Sequence, residues 1–156
     1  MIRVLFICLG NICRSPMAEA VFRKMLRERH LESSVTVDSA GLGGWHAGDP
    51  PHQGTRQVLD DHGISYEGIS SRQVRRDELK SYDYVIAMDE ANMEGLARLG
   101  LSPSDNVTRL LELVPDVPEK DVPDPYYDNR FDYVYELVER GCRALLLRVE
   151  ADLASK

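Results

Sequence analysis

Cysteine, tryptophan and long apolar stretches are scarce in this sequence, which contains 3 cysteines and 1 tryptophan among 156 residues. Three cysteines are too few, and an odd number, for a disulfide framework, so we expect reduced thiols and a cytoplasmic protein. The apolar run in MIRVLFICLGNICRS is too short to span a membrane, and no small-residue cleavage site follows it. We therefore expect neither a membrane partner nor export.

Positive charge is also in short supply, because 19 Lys and Arg oppose 26 Asp and Glu and give a net charge of −7. Nucleic acids and anionic membranes favour basic surfaces, so we expect no nucleic acid as a partner. An anionic substrate would have to be held by a local field. The length and the composition, 43% hydrophobic and 29% charged, are typical of a single globular domain over residues 1–156.

Apolar runs that end in polar loops recur along the chain. The run RVLFIC at 3–8 predicts a strand buried on both faces of a sheet. Similar strand-to-loop transitions occur at 35–41 and 84–92, and a weaker strand candidate lies at 106–111. Because helical segments separate these strands, we expect a doubly wound parallel sheet, in which ligands bind beyond the carboxyl ends of the strands.

The helical segments have recognisable starts and ends. Ser15 is placed as an N-cap and Pro16 as the first residue of a helix. Glu19 is then a first-turn acid, and the helix is predicted to extend to about Arg29. A second helix is predicted in QGTRQVLDDHG, where the final glycine ends it, and a long last helix is predicted at 130–153.

The segment CLGNICRS at 8–15 connects the first strand to the first helix. A zinc site is not expected, because the four histidines are scattered without ligand spacing. A nucleotide is not expected either, because the second glycine and the lysine of a P-loop are missing. What remains is a series of backbone N–H groups next to a helix N-terminus, which together form an anion site.

Side chains in this loop suit phosphate chemistry. Cys8 lies at the mouth of the anion site, where positive potential stabilises a nucleophilic thiolate. Arg14 offers a planar fork of donors to two oxygens of a tetrahedral anion. Gly10 and Asn11 tolerate the left-handed backbone that turns N–H groups inward. With Ser15, these residues complete the pattern C-x5-R-[ST], which indicates a thiolate facing a bound phosphate.

Five segments of the chain carry a family resemblance: VLFICLGNICRSPMAEAVF, DSAGLGGWHAGDPPH, SSRQV, YDYVIAMDEAN and DVPDPYYD. Their order and spacing make nearly the whole chain similar to the low-molecular-weight protein tyrosine phosphatases. The resemblance implies a flavodoxin-like, phosphotyrosine phosphatase I-like α/β fold, with a four-stranded parallel sheet and helices on both faces. It also implies a metal-independent hydrolase without a cofactor, acting on tyrosine-phosphorylated proteins as a monomer or weak homodimer.

The same resemblance implies catalytic roles for three residues. Cys8 would attack phosphorus to give a cysteinyl-phosphate, Arg14 would clamp the equatorial oxygens, and Asp124 would protonate the leaving phenolate. One carboxyl group can serve as the acid of the first displacement and the base of the second. The choice of Asp124 rests on the motif, because neighbouring aspartates are equally acidic.

A supporting set and a substrate pocket also follow from the resemblance. Trp45, Tyr126 and Tyr127 are expected to line a pocket for a flat phenyl ring, although the single tryptophan could equally be a core residue. Ser15 is similar in place to the residue that donates a hydrogen bond to the thiolate. Phosphate binding and loop support are assigned to Leu9, Gly10, Asn11, Ile12, Cys13, Ser15 and Ser39.

The remaining cysteines have different expected roles. The family resemblance implies that Cys8 and Cys13 can form a disulfide bridge, which makes Cys13 a candidate redox partner for an oxidation-sensitive thiolate. The alternative is that Cys13 only packs under the start of the helix. Cys142, in the middle of the last helix, is expected to be a small buried apolar residue.

Three positions leave a choice open. Asp89 either caps the helix that follows it or orients Arg14, and we favour the cap without excluding both. Ile69 occupies the place where many bacterial relatives have a histidine that supports the loop asparagine, so the support of Asn11 is an open question. The proline-rich segment 114–128 is indicated by composition alone to be a solvated connector, although long ordered loops are often functional.

Other functions remain as alternatives. Arsenate reductases share the thiolate loop but need additional cysteines, and after Cys13 only Cys142 remains. Phosphoarginine phosphatases carry a threonine where this chain has Ile12, an apolar side chain better suited to an aromatic leaving group. A phosphotyrosine-binding module without activity would need neither Cys8 nor Asp124.

Overall fold

Four parallel strands form the centre of the protein in the computed structural model, which describes all residues from Met1 to Lys156. They pair in the order β2-β1-β3-β4, and each neighbouring pair is parallel. This arrangement confirms the predicted four-stranded parallel sheet, and the weak candidate at 106–111 is a short strand. The strands are β1 (Ile2–Cys8), β2 (Val35–Gly41), β3 (Tyr84–Ala87) and β4 (Val107–Arg109).

Five α-helices and two 3-10 helical turns connect or follow the strands. The first, second and last predicted helices are present with ends close to those expected, and none of the helices is both long and apolar enough to cross a membrane. The helices are α1 (Arg14–Glu28), α2 (Gln53–Asp61), α3 (Glu90–Arg98), α4 (Pro125–Asp128) and α5 (Phe131–Ala154), and the 3-10 turns are Arg76–Ser81 and Leu110–Leu113.

Apolar side chains cover both faces of the sheet. Val4 and Phe6 of β1 belong to the larger apolar cluster, which also contains buried residues of α1, α2 and α5. Leu5 and Ile7 belong to a second cluster, to which α3 contributes buried apolar residues. Successive side chains of a strand point to opposite faces, so the uninterrupted apolar run of β1 is explained by a core on each side.

The loop after β1 lies where the direction of the sheet changes. The chain passes from β1 to β2 on one side, whereas β3 pairs with the opposite edge of β1. At such a switch point, the connections that leave neighbouring strands diverge and open a crevice at their carboxyl ends. Cys8 is the last residue of β1 and Arg14 is the first residue of α1, so both flank this crevice.

The start of α1 differs from the sequence prediction. Cys13 is the N-cap, its side chain caps no backbone N–H, and Ser15 lies inside the helix as its second residue. The prediction of Ser15 as N-cap is therefore wrong, because its hydroxyl instead contacts the sulfur of Cys8. A helix start without a side-chain cap leaves first-turn N–H groups available to an anion.

The proline-rich segment 114–128 is not a solvated connector, so that prediction is wrong. Val117 and Val122 are buried in the larger apolar cluster. The Val122 N–H donates to the carbonyl of Met88, which follows β3, at 2.8 Å. These contacts fasten the segment across the carboxyl end of the sheet and hold Asp124, the N-cap of α4, near the loop that follows β1.

Candidate active site

The loop between β1 and α1 is folded around the sulfur of Cys8. Asn11 has a φ of 58°, the left-handed backbone expected for this loop, although Gly10 does not share it. The Asn11 N–H donates to Cys8 Sγ at 3.3 Å, and Ser15 Oγ lies 2.9 Å from the same sulfur. The side chain of Cys8 is therefore held by two polar groups of its own loop.

A cavity of about 310 Å³ opens onto this loop. It brings together three groups of residues that are far apart in the sequence: the loop itself, the segment around Trp45 and the segment around Asp124. Ten of its eleven lining residues are candidate site residues from the sequence; the other is His46. They are Cys8, Leu9, Gly10, Ile12, Cys13, Arg14, Trp45, Asp124, Tyr126 and Tyr127.

Arg14 is buried beside the cavity and fixed along one edge of its guanidinium group. Its Nη1 donates to Asp89 Oδ2 at 2.6 Å and to the carbonyl of Val122 at 2.9 Å. Its Nε is buried without a hydrogen-bond partner in the protein. Nε and Nη2 share the edge that can bind two oxygens of one anion, and the protein contact on this edge is the one from Nη2 to Asp124 Oδ2 at 3.5 Å. The protein therefore fixes the arginine mainly through Nη1 and leaves Nε for a ligand.

The charge of Arg14 is secured by its surroundings. Burial acts to lower the pKa of Arg14, but the nearby negative charge of Cys8 and the hydrogen bond and charge of Asp89 outweigh burial, so the pKa is raised. The guanidinium therefore remains a cation in the folded protein. A permanent cation in a buried site strongly favours an anionic ligand.

Asp89 performs both of the functions that the sequence left open. Its Oδ1 accepts from the Asn92 N–H at 2.8 Å and caps α3, while its Oδ2 accepts from Arg14. The two carboxylate oxygens thus connect the beginning of a helix to the orientation of the arginine.

Asp124 lines the cavity beside Arg14 and is partly exposed. Its Oδ1 accepts from the Tyr126 N–H at 3.1 Å, which makes it the N-cap of α4, and its Oδ2 lies 3.5 Å from Arg14 Nη2. Of the four aspartates in the segment 116–128, Asp124 alone lines this cavity.

Asn11, Ser15 and Ser39 are buried behind the loop and do not line the cavity. Asn11 Nδ2 donates to Ser15 Oγ at 2.8 Å and to Ser39 Oγ at 3.0 Å. Asn11 Oδ1 accepts from the Arg72 N–H at 3.0 Å. This backbone donor answers the question raised by Ile69, which is a buried apolar core residue and offers Asn11 no polar support.

The three cysteines are free, and two are kept as neutral thiols by burial. Burial raises the pKa of Cys13 to about 12, and the negative charges of Cys8 and Asp124 contribute to the shift. Burial also raises the pKa of Cys142, which is fully enclosed in the larger core as expected. Neither thiol is ionised to a significant extent at neutral pH.

Aromatic side chains surround the cavity entrance. Trp45 is 70% exposed, so it is not a core residue, and Tyr126 and Tyr127 are also exposed. The ring centroid of Tyr126 lies 6.5 Å from that of His46 and 5.8 Å from that of His52. These flat surfaces suit an aromatic ring entering the cavity.

Several contributors to the site were missed by the sequence interpretation. His46 lines the cavity, and its position directly after Trp45 was an available signal. The Val122 carbonyl and the Arg72 N–H are backbone groups, so the residue types in the sequence do not indicate them. No group of three or more His, Cys, Asp or Glu side chains is arranged to hold a metal ion.

Comparison with known proteins places this geometry in a family. The sequence model for the low molecular weight phosphotyrosine protein phosphatases matches residues 3–155. The low molecular weight protein-tyrosine-phosphatase YfkJ of Bacillus subtilis is 48% identical over 153 residues, covering 97% of this chain and 98% of that protein. The related phosphatase PtpA of Staphylococcus epidermidis is 44% identical over 146 residues, covering 94% and 92%.

Solved structures agree. The crystal structure of YfkJ has a TM-score of 0.94 at 48% identity and covers 97% of this chain and 96% of its own. A protein tyrosine phosphatase from Entamoeba histolytica has a TM-score of 0.88 at 33% identity, with coverage of 97% and 99%. The chain therefore belongs to the low-molecular-weight phosphotyrosine protein phosphatase family and is a protein-tyrosine-phosphatase.

Proposed function

We propose that this phosphatase transfers the phosphoryl group to Cys8 and then to water, with Arg14 and Asp124 as its other catalytic residues. The observation that carries the proposal is the buried Arg14 guanidinium, which is fixed by Asp89 and the Val122 carbonyl and keeps Nε unpartnered in the same site as Cys8 Sγ. An arginine held in this way is prepared for the equatorial oxygens of a phosphoryl group.

The first step forms a sulfur–phosphorus bond. The Cys8 thiolate attacks phosphorus while the bond from phosphorus to the phenolic oxygen breaks. Asp124 gives its proton to the leaving oxygen, so the product departs as neutral tyrosine. Arg14 and the loop N–H groups bind the phosphoryl oxygens throughout and offset their charge.

The second step returns the enzyme to its starting state. Asp124, now a carboxylate, takes a proton from water as the water oxygen attacks phosphorus. The sulfur–phosphorus bond breaks, inorganic phosphate forms, and the Cys8 thiolate and the protonated Asp124 are restored. The overall reaction consumes one water for each phosphate ester.

The shape of the cavity supports an aromatic leaving group. Trp45, Tyr126 and Tyr127 provide flat faces at the entrance, and Ile12 contributes an apolar side chain inside it. A phosphoarginine has a planar cationic group after the phosphorus, and Ile12 offers it no hydroxyl. We expect phosphotyrosine to be hydrolysed faster than phosphoarginine, and assaying both under the same conditions tests this preference.

Asp124→Asn tests the acid directly, because asparagine still caps α4 but carries no transferable proton. We expect the rate with phenyl phosphate to fall by about a hundredfold or more, whereas an activated ester such as para-nitrophenyl phosphate loses much less in the step that releases the phenol. The measurement is single-turnover phenol release from both esters. Equal losses on the two esters would mean that another group is the acid. The control is Asp128→Asn, which changes a nearby exposed carboxylate and should leave the rates with both esters unchanged.

We also propose the cellular setting. The chain functions as a single phosphatase domain, residues 1–156, on tyrosine-phosphorylated proteins in the cytoplasm, as a monomer or weak homodimer. The three free thiols support a reducing compartment. The exposed aromatic entrance supports a phosphotyrosine presented on a protein surface.

Oxidation of Cys8 is proposed to be reversible through Cys13. Both residues line one cavity. Hydrogen peroxide would oxidise the Cys8 thiolate to a sulfenic acid with loss of hydroxide, and the Cys13 thiol would then attack that sulfur with loss of water to form a disulfide. Oxidation removes the negative charge of Cys8, one of the causes that raise the pKa of Cys13.

Mild peroxide should therefore inactivate the enzyme, a dithiol reductant should restore it, and bound phosphate should protect it. Cys13→Ser should form no intramolecular bridge and should recover less completely, because its sulfenic acid is open to further, irreversible oxidation. Peptide mapping after timed exposure detects the bridge, and activity after reduction measures the recovery. If Cys13→Ser regains full activity and wild type yields no disulfide-linked Cys8–Cys13 peptide, the redox role is wrong and Cys13 only packs under the start of α1.

A further inference from the structure

The buried hydrogen bonds behind the loop continue beyond Ser39 to a charged pair on α1. Ser39 Oγ donates to Glu19 Oε1 at 2.6 Å, and Glu19 is only 5% exposed. The other oxygen of Glu19 accepts from Arg23 Nη2, one helical turn later. Arg23 Nη1 also donates to the carbonyl of Glu67 at 3.2 Å. This buried carboxylate takes no part in the steps described above.

Glu19 determines the direction of the hydrogen bonds that follow. An ionised carboxylate only accepts, so the Ser39 hydroxyl must point its proton at Glu19. The Ser39 oxygen is then left as an acceptor, and it lies 3.0 Å from Asn11 Nδ2. The amide of Asn11 has the matching orientation, because its Oδ1 accepts from the Arg72 N–H at 3.0 Å.

The donation of hydrogen bonds continues from Asn11 through Ser15 to Cys8. The second proton of Asn11 Nδ2 is donated to Ser15 Oγ at 2.8 Å, so Ser15 is also an acceptor toward Asn11. Its own hydroxyl proton is then available for Cys8 Sγ at 2.9 Å, a contact whose distance alone does not say which atom donates. A hydroxyl that donates to sulfur stabilises the thiolate.

We propose that Glu19, held by Arg23, is a positioning residue that orients the Ser39, Asn11 and Ser15 hydrogen bonds so that Ser15 donates to the Cys8 thiolate. The inference rests on the proposed role of Cys8 as nucleophile. Hydrogen bonds in such a chain strengthen one another, so a changed hydrogen bond at Glu19 weakens the one from Ser15 to Cys8.

The charges around Glu19 explain why Arg23 is needed. Burial raises the pKa of Glu19, and the hydrogen bond from Ser39 and the charge of Arg23 oppose burial. Asp38 acts in the same direction as burial, and Arg72 acts against it. The pKa is raised overall, and Arg23, which binds the oxygen of Glu19 that does not face Ser39, is the contacting cation that opposes burial and favours the carboxylate form.

Glu19→Gln tests the direction of the chain with little change in shape. Arg23 is purely a donor, so it should draw the oxygen of the introduced amide and leave the amide N–H₂ against Ser39. The Ser39 oxygen would then lie between two donors, the introduced amide and Asn11 Nδ2, and the Ser39 proton would have lost its acceptor at position 19. We expect alkylation of Cys8 by iodoacetamide at mildly acid pH to slow by about tenfold, and the alkylation profile to move to higher pH, with kcat for phenyl phosphate falling in parallel.

A second substitution separates this effect from a loss of packing. In Glu19→Gln/Arg23→Met the guanidinium is gone, so the introduced amide can turn its oxygen to Ser39 and the alkylation rate should recover toward wild type. A packing defect would make the double variant slower than the single one. Arg27→Met and Glu28→Gln, exposed on the same helix, are controls that should leave the rates unchanged.

The outcomes distinguish this inference from the function on which it rests. An unmoved alkylation profile in Glu19→Gln, or a double variant slower than Glu19→Gln, overturns the role of Glu19 while turnover through Cys8 stands. Turnover that survives Cys8→Ser overturns the catalytic assignment itself. A slowed Glu19→Gln enzyme that Arg23→Met rescues supports the proposal.

Discussion

Cys8→Ser is expected to abolish turnover, by about 10⁴-fold or more, because serine at this position has no thiolate to attack phosphorus. Binding of phosphate or vanadate should persist, since the anion site consists of loop N–H groups and Arg14, which the substitution leaves in place. Steady-state hydrolysis and calorimetric titration with phosphate measure the two properties separately.

Cys142→Ala is the matched control for this experiment. Cys142 is fully buried in α5 and does not line the cavity, so its loss should affect stability more than catalysis. Activity of Cys8→Ser within tenfold of wild type would show that Cys8 is not the nucleophile. Loss of phosphate binding together with activity would show that the sulfur, rather than the loop, holds the anion.

Arg14→Lys is expected to be nearly as damaging, with kcat/KM reduced by about a thousandfold. The arginine satisfies Asp89 and the Val122 carbonyl through Nη1, while its other edge has an unpartnered Nε and an Nη2 with only a 3.5 Å contact to Asp124, and this edge can turn to the substrate. Lysine has one nitrogen, which cannot satisfy the two protein acceptors and clamp two phosphoryl oxygens at once. The affinity for vanadate should fall with the rate.

Arg29→Lys is a suitable control, because Arg29 makes its ion pair with Glu150 on the surface, away from the cavity. It should retain wild-type kcat/KM and vanadate affinity. An Arg14→Lys enzyme that keeps most of its activity would mean that charge alone suffices and that the bidentate geometry is unimportant.

Much of the fold could be predicted because local sequence agrees with tertiary structure. The apolar run of β1 is continuous since both faces of the sheet are covered, and this pattern is visible without any structure. The boundaries of α2 and α5 follow their periodicity closely. Ser15 misled because its local preference for an N-cap is overridden by a contact with Cys8, which only the folded loop creates.

The sequence indicated the candidate catalytic side chains more fully than the groups that hold them in place. Cys8 and Arg14 are recognisable from spacing within one loop, and Asp124 from a motif. In contrast, the Val122 carbonyl contacts Arg14 across 108 residues, and Glu19 reaches Ser39 on a different element. The prediction of Glu19 as a first-turn acid is wrong, because α1 begins at Arg14 and its first turn holds no acidic residue. The burial of Glu19 and its partners become visible only when α1 is packed against β2.

A covalent phosphate on Cys8 is the most direct test of the mechanism. In Asp124→Asn, para-nitrophenyl phosphate should still phosphorylate the enzyme, because its phenol leaves without an acid, whereas hydrolysis of the intermediate lacks its base. Rapid mixing should give a burst of one nitrophenolate per enzyme, and mass spectrometry of the quenched protein should locate phosphate on Cys8. The absence of both burst and phosphoenzyme, or phosphate on another residue, would contradict the account.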